Sequence, residues 1–406
     1  MGFSSASYFL MKDRTVRVCG TNDYGQLGTG DTQRILVPTK INIQNVKQIA
    51  VGLNHTAFLL IDGTVKTVGY NVVGQLGIGN IENQLNFQTL NISGVKQVAC
   101  GENHTVFLFR DGSVSVVGYN ASGQLGIGST DRYKADIQKL TLKDVKHVAC
   151  GASHTMFLMK DGTVKACGHN IYGQLGIGNT TNQNEIQNLD LIGVKDISCG
   201  QNHTFFLMED GSVKSVGRNQ YRQLLISGNG ADQSYPQEAV SNFGGGGIKK
   251  IVCGANHTIF VINDGSIRAC GYNAFGQLGN GRIEDVTLYL HSVAIKNVDK
   301  VSCGQYHTAF LLKDGSIATT GRGISGQLGT GGSTDTKTPL IIAISEVLSL
   351  WDPYKVRENY TLVKSGEKFK SYLPGIKRVL VKDTSYTEGS LYRVSLIKQA
   401  KSLQIN

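Results

Sequence analysis

The chain has 406 residues, with 40 Lys+Arg against 30 Asp+Glu and a formal charge of +10. That length suits two average domains or one large β domain, and the ordinary hydrophobic content can supply a core. The 51 glycines against 5 prolines exclude a proline-rich disordered chain and predict many tight turns, and no apolar run approaches the ~18 residues of a membrane helix.

The opening, MGFSSASYFLMKDRTV, has no basic segment followed by an apolar one, and Ala6 stands where a myristoylation pattern needs Ser or Thr. The expectation is a protein with no secretion signal. Within this first unit ASYFLMKDRTVRVCG reads as two strands around a turn at Asp13, with Ala6 and Arg14 in place of the His and Gly that later units carry. A second unit follows, then five more. Each reads as a short strand (GVKQVACG), a buried apolar strand (HTVFLFR), a DG turn, an alternating strand (SVSVVGYN), a GQLG kernel, a variable loop and a weaker strand (FQTLNI).

The spacing is regular. The kernel Gln falls at Gln26, Gln75, Gln124, Gln174, Gln223, Gln277 and Gln327, in steps of 49, 49, 50, 49, 54 and 50 residues. A His-Thr pair begins at His55, His104, His154, His203, His257 and His307, and the DG turns at Asp62, Asp111, Asp161, Asp210, Asp264 and Asp314. Seven units of four strands, with no helical period, predict an all-β, seven-bladed β-propeller of four-stranded blades. One constant offset carries Pro38 to Pro339, Ile43 to Ile344 and Val46 to Val347, so PLIIAISEVLSL is expected to supply the strand that the first blade lacks, closing the ring N to C. The domains are then residues 1–350, the propeller, and 351–406, a small β-rich appendage.

The kernel reads as construction. Its glycines permit positive φ, its Gln satisfies loop backbone, its Leu plugs the gap between blades, and the Asn ahead of it (Asn22, Asn71, Asn120, Asn170, Asn219, Asn273) favours a turn. The His-Thr pair is expected to bond across a blade boundary. The eight cysteines, Cys19, Cys100, Cys150, Cys167, Cys199, Cys253, Cys270 and Cys303, sit before glycines at strand ends. Equivalent positions do not face one another, so they read as free buried thiols in a reducing compartment. Ring symmetry likewise keeps the histidines and aspartates apart. No CxxC, P-loop, GxSxG or HExxH occurs, and the expectation is no metal, no cofactor and no catalytic residue.

The pattern GxNHTxFLxxDGxVxxxGxNxxGQLGxG over about residues 3–350 closely resembles the regulator of chromosome condensation repeat family. The resemblance implies a seven-bladed propeller and no single activity, because such propellers serve as exchange factors for the small GTPase Ran, enzyme inhibitors, photoreceptors and scaffolds. An exchange wedge does not map onto the one insertion, LLISGNGADQSYPQEAVSNFGGGGIKK in the fifth unit. A tryptophan-based photoreceptor is excluded by the single Trp351.

Two positions near the kernel vary while the frame stays fixed. They place Tyr24, Tyr70, Tyr119, Tyr172, Arg218, Tyr221, Arg222, Tyr272, Phe275 and Arg322 on one face, as candidate anchors for a macromolecule. Some of the tyrosines are expected to fill space between blades, and Tyr221 with Arg222 looks least structural.

Residues 351–406 carry 11 Lys+Arg and 5 Asp+Glu, so +6 of the +10 lies there, with five tyrosines. They read as a folded appendage with a solvated basic face, and nucleic-acid binding is disfavoured. Frequent Asn, Ile and Lys and closely similar repeats suggest an AT-rich bacterium or its phage. The function expected from all this is a non-catalytic binding propeller. In a phage or phage-like particle it would hold a protein or a cell-surface polymer by one face, and attach or self-associate through 351–406. The alternatives are a bacterial cytoplasmic scaffold or inhibitor and, third, a GTPase exchange factor. The expected location is the virion or the bacterial cytoplasm.

Overall fold

The computed structural model describes residues 4–240, 243, 246–284 and 290–342, and beyond these the backbone of four strands, Leu362–Ser365, Lys368–Leu373, Ile376–Val381 and Arg393–Leu396. Two compact units divide the chain, Met1–Ile342 and Ala343–Asn406. In the second, the four strands pair in chain order as an antiparallel sheet.

The first unit is a propeller of seven antiparallel sheets, each in simple chain order. Blade 2 is representative: Val46–Val51 innermost, then His55–Leu60, Val65–Gly69 and, outermost, Gln84–Thr89. The second strand is buried along nearly its whole length, apolar after its leading His-Thr pair, because both faces of a blade meet another blade. His104–Phe109 is buried at its first five positions, whereas the outer Gln84–Thr89 is half-buried to exposed. Neighbouring blades share one core: Val46, Phe58 and Val68 of blade 2 pack with Val16, Val18 and Leu27 of blade 1. The kernel leucines, Leu27 through Leu328, are fully buried in these seams, each contributing about 2 kcal/mol by burial.

Blade 1 has three described strands, Ala6–Leu10, Val16–Gly20 and Ile35–Lys40. Ala6 pairs with Gly20 just as His55 pairs with Gly69, so the sequence register of the weak first unit holds. The strand expected to complete this blade is only partly visible. Its beginning, Pro339 to Ile342, belongs instead to the outer strand of blade 7, Thr336–Ile342, paired with Ile317–Gly321. The rest, 343–350, lies outside the described residues. Among the described residues, Gly331 N donates to Leu36 O at 3.1 Å and Gln305 N to Ser4 O at 3.3 Å, joining blade 7 to blade 1.

The His-Thr pair is the repeated clasp. His55 Nε2 lies 2.9 Å from Thr105 Oγ1 of the next blade, and Thr105 Oγ1 donates to Gln75 O at 2.8 Å. Because the hydroxyl gives its proton to the carbonyl, the imidazole must donate through Nε2. The same bond joins His104 to Thr155, His154 to Thr204, His203 to Thr258 and His257 to Thr308. At the closing seam His307 meets Ser7, which stands where the other blades carry Thr. All six imidazoles are buried, and burial holds five near pKa 3 and His307 near 4, far below the usual value. The glycine three residues before each His makes room for its ring: a Cβ on Gly101 would stand 2.0 Å from His104 Cε1.

The kernel is a self-supporting loop. Asn71 Oδ1 accepts from Leu76 N at 2.9 Å, and Gln75 Oε1 accepts from Val73 N at 3.2 Å. The DG turn is closed the same way, with Thr64 N donating to Asp62 Oδ1 at 2.9 Å. All eight cysteines are buried and free, and burial lifts their thiols well above the usual range.

Candidate functional site: the kernel-loop face

Strand direction separates two faces. The DG turn and the start of the innermost strand share one end of a blade, where Ile61 N donates to Asn45 O. The kernel loop and the loop ahead of each His share the other, where Tyr70 N donates to Asn54 O. All the candidate anchors therefore lie on the kernel-loop face.

Most of them meet in pairs across a blade boundary. The second variable position of one blade packs against the first of the next: Tyr24 edge-on to Tyr70 at 4.8 Å, Tyr221 tilted against Tyr272 at 4.7 Å. Where the first position is arginine the contact becomes cation–π, with Arg218 4.9 Å from the Tyr172 ring and Arg322 4.9 Å from the Phe275 ring. His169 joins Tyr172 at 6.1 Å, held by a 2.7 Å bond from Gln174 Nε2 to its Nδ1. From blade 5 to blade 7 the contacts run without a break through Tyr221, Tyr272, Phe275, Tyr306 and Arg322. These side chains are half-buried: one edge packs on the neighbouring blade and the other faces solvent.

Two candidates stand apart. Tyr119 meets no aromatic ring or guanidinium among the described residues, its neighbour across the seam being the aliphatic Val73. Arg222 turns into its own loop, its guanidinium donating to Gly228 O, so the residue expected to be least structural is bound to its own blade. It occupies a left-handed position, φ 60°, that is Gly in the other kernels. A Cβ at Gly173 would stand 2.5 Å from Ser234 Cα in the outer strand of the next blade. The residues of blade 6 that would stand opposite Arg222 lie outside the described residues.

The sequence reading missed Tyr306 and the exposed Val72, Ile171 and Ile324. The aliphatic three sit at kernel tips on this face, about half exposed at 45, 53 and 51 %. The signal for Tyr306 was a break in the repeat, GQYHT where four other units read NHT and one, at Ser153, reads SHT. Three of the four Asn before His accept from the kernel amide of the preceding blade, as Gln75 Nε2 to Asn103 Oδ1 at 3.4 Å. Tyr306 stands in that place in blade 7, and Gln277 Nε2 is buried with no partner among the described residues, as are Gln124 Nε2 and Gln223 Nε2.

Fold and site define a seven-bladed repeat propeller with an aromatic and arginine-bearing loop face. The chain belongs to the RCC1-like domain family, whose model matches residues 88–361. The regulator of chromosome condensation (RCC1) repeat matches residues 16–59, 62–108 and, in a second version, 46–75. Among solved structures it is similar to human WBSCR16, at 25% identity over 81% of this chain and 95% of that one, TM-score 0.74. It is also similar to Prp20p of Saccharomyces cerevisiae, at 21% identity over 87% and 90% of the two chains, TM-score 0.74, a protein described with its binding to Gsp1p and histones. The same yeast protein bound to Kap60 matches at 20% identity over 89% and 87%, TM-score 0.73. The human probable E3 ubiquitin-protein ligase HERC3 is 46% identical over 35 residues, which is 9% of this chain and 3% of that protein's length.

Proposed function

We propose that this protein is a non-catalytic, protein-binding propeller that grips its partner with the kernel-loop face, over the arc from blade 5 to blade 7. The observation that carries the reading is Tyr306. It stands where four other units carry Asn, and it completes the ring series between Phe275 and Arg322. A large aromatic ring at a position that the repeat fills with a small polar residue fits a binding surface better than a structural seam. Tyrosine and arginine are favoured anchors, and the exposed Ile324 extends the apolar area beside them.

The family supplies the first partners to test. The yeast relative is described with Gsp1p, histones and Kap60, and the repeat resemblance adds small-GTPase exchange as a reading. The comparisons give no support to particle attachment or to a bacterial or phage source, and neither enters the proposal. The test is capture from lysate by the full chain and by Tyr306→Asn, Phe275→Ala and Arg322→Ala variants, read by mass spectrometry, with nucleotide release from any captured GTPase as a second readout. A protein retained by the wild type and lost from all three variants is expected. A protein retained equally by all four would refute this face.

A further inference from the structure

The opposite face is built differently. Each described innermost strand skips one residue in its pairing: Lys47, Lys96, Lys146, Lys195, Lys249 and, in blade 7, Asp299. A bulged residue leaves the ladder and is re-aimed. All five lysines are exposed, and among the described residues none makes an ion pair. The innermost strands of successive blades contact one another around the ring axis. Equivalent positions therefore stand at one height around the end of that axis, and Lys96 Nζ donates to Lys146 O of the next blade at 3.3 Å.

The charges converge. At His147, beside the blade 4 lysine, burial holds the imidazole below its usual range, the nearby Asp196 opposes this, and the charges of Lys250, Lys96 and Lys146 reinforce it. Lys250 comes from blade 6 and Lys96 from blade 3, so positive charges from three blades act at one point. Among the described residues the innermost strands carry Asp196 and Asp299 at this level, with Asp144 just before one of these strands ion-paired to Lys160, against the five bulge lysines with Lys250 and Lys300. The DG aspartates on the same face accept from their own turns, as Asp62 does from Thr64 N and Asp111 from Ser113 N.

We propose that this end of the ring axis is a binding site for a compact, multiply phosphorylated anion, held by Lys47, Lys96, Lys146, Lys195 and Lys249 from five consecutive blades. A mouth lined with one sign of charge focuses its field on the axis. Lysine presents a compact charge on a flexible stem, which suits phosphate groups pointing in several directions, where arginine would favour planar bidentate pairing. Charges arranged on an arc at one height engage a ligand with groups on several sides of a small centre. A polyanionic chain lying across the mouth would reach only part of that arc. The unpaired lysines also repel one another, so a bound polyphosphate stabilises the fold.

The test uses the full chain with inositol hexakisphosphate and tripolyphosphate, followed by calorimetric titration and thermal shift at low and physiological salt. The triple variant Lys146→Gln, Lys195→Gln, Lys249→Gln is expected to lose about tenfold or more in affinity. A charge-matched triple on outer strands, Lys40→Gln, Lys139→Gln, Lys337→Gln, is expected to change by less than about twofold. Asp299→Lys, which extends the arc, is expected to tighten binding. Equal losses in the two triples would reduce the effect to net charge, including that of residues 351–406, and would overturn the site. So would the absence of binding by either phosphate, an unchanged affinity in Asp299→Lys, or capture of an Asp/Glu-rich peptide in their place.

Discussion

Acid should dismantle this propeller at a pH where its carboxylates are still ionised. Burial holds five clasp histidines near pKa 3 and His307 near 4, against 6.5 for a free imidazole. Above pH 6.5 both folded and unfolded states carry neutral imidazoles, and these groups impose no pH dependence. As pH falls below 6.5 the unfolded chain binds protons that the folded chain refuses, so stability is lost progressively down to the folded pKa values. One pKa unit corresponds to about 1.4 kcal/mol, so at pH 5 each histidine destabilises by about 2 kcal/mol. Six together reach the order of 10 kcal/mol, comparable with the whole stability of a typical domain at ~5–15 kcal/mol. Exposed carboxylates contribute chiefly below about pH 4. Glu102, whose carboxyl burial raises, opposes the trend slightly by taking up its proton in the folded state first. Denaturant unfolding at pH 7.5, 6.5, 6.0 and 5.5 should show a slope approaching several protons bound per unfolding event. His154→Gln should remove about one proton from that slope. Stability independent of pH from 7 to 5.5, or an unchanged slope in the variant, would refute the neutral-histidine clasp.

Two further substitutions probe the same seam. Thr105→Val leaves His55 Nε2–H and Gln75 O unpaired together and should destabilise by roughly 2–4 kcal/mol in chemical denaturation, whereas Thr105→Ser should be mild, since Ser7 performs the same task at the closing seam. Gly101→Ala forces a methyl to within 2.0 Å of His104 Cε1 and 2.7 Å of Gly151 O; a loss of about 3 kcal/mol or more is expected, and a wild-type melting temperature would mean that the ring does not fill that space.

The frame was legible because it repeats. GQLG, His-Thr and DG recur at one spacing, and a feature present once per unit must do in each blade what it does in the others. That argument placed the clasp, the free thiols and the leucine plugs from residues alone. It failed where the repeat is silent. Arg222 looked functional because it replaces a glycine, yet its guanidinium turns back onto Gly228 O of its own loop, a contact that no motif announces. Tyr306 was passed over because a single change inside a strong motif looks like drift; its meaning comes from Phe275 and Arg322, which only the ring brings beside it. The VK of GVKQVACG was read simply as strand. Pairing makes its lysine a bulge residue, and ring closure turns five such residues into one positive arc.

By itself the sequence determined the seven units, the strands in each and the residues that join blade to blade, since periodicity and side-chain chemistry are properties of the chain. The tertiary structure decided which variable positions become neighbours, which face they share and where like charges accumulate. Those depend on distances across blade boundaries and around the axis, between residues about 50 or more apart in sequence, and no local pattern encodes them.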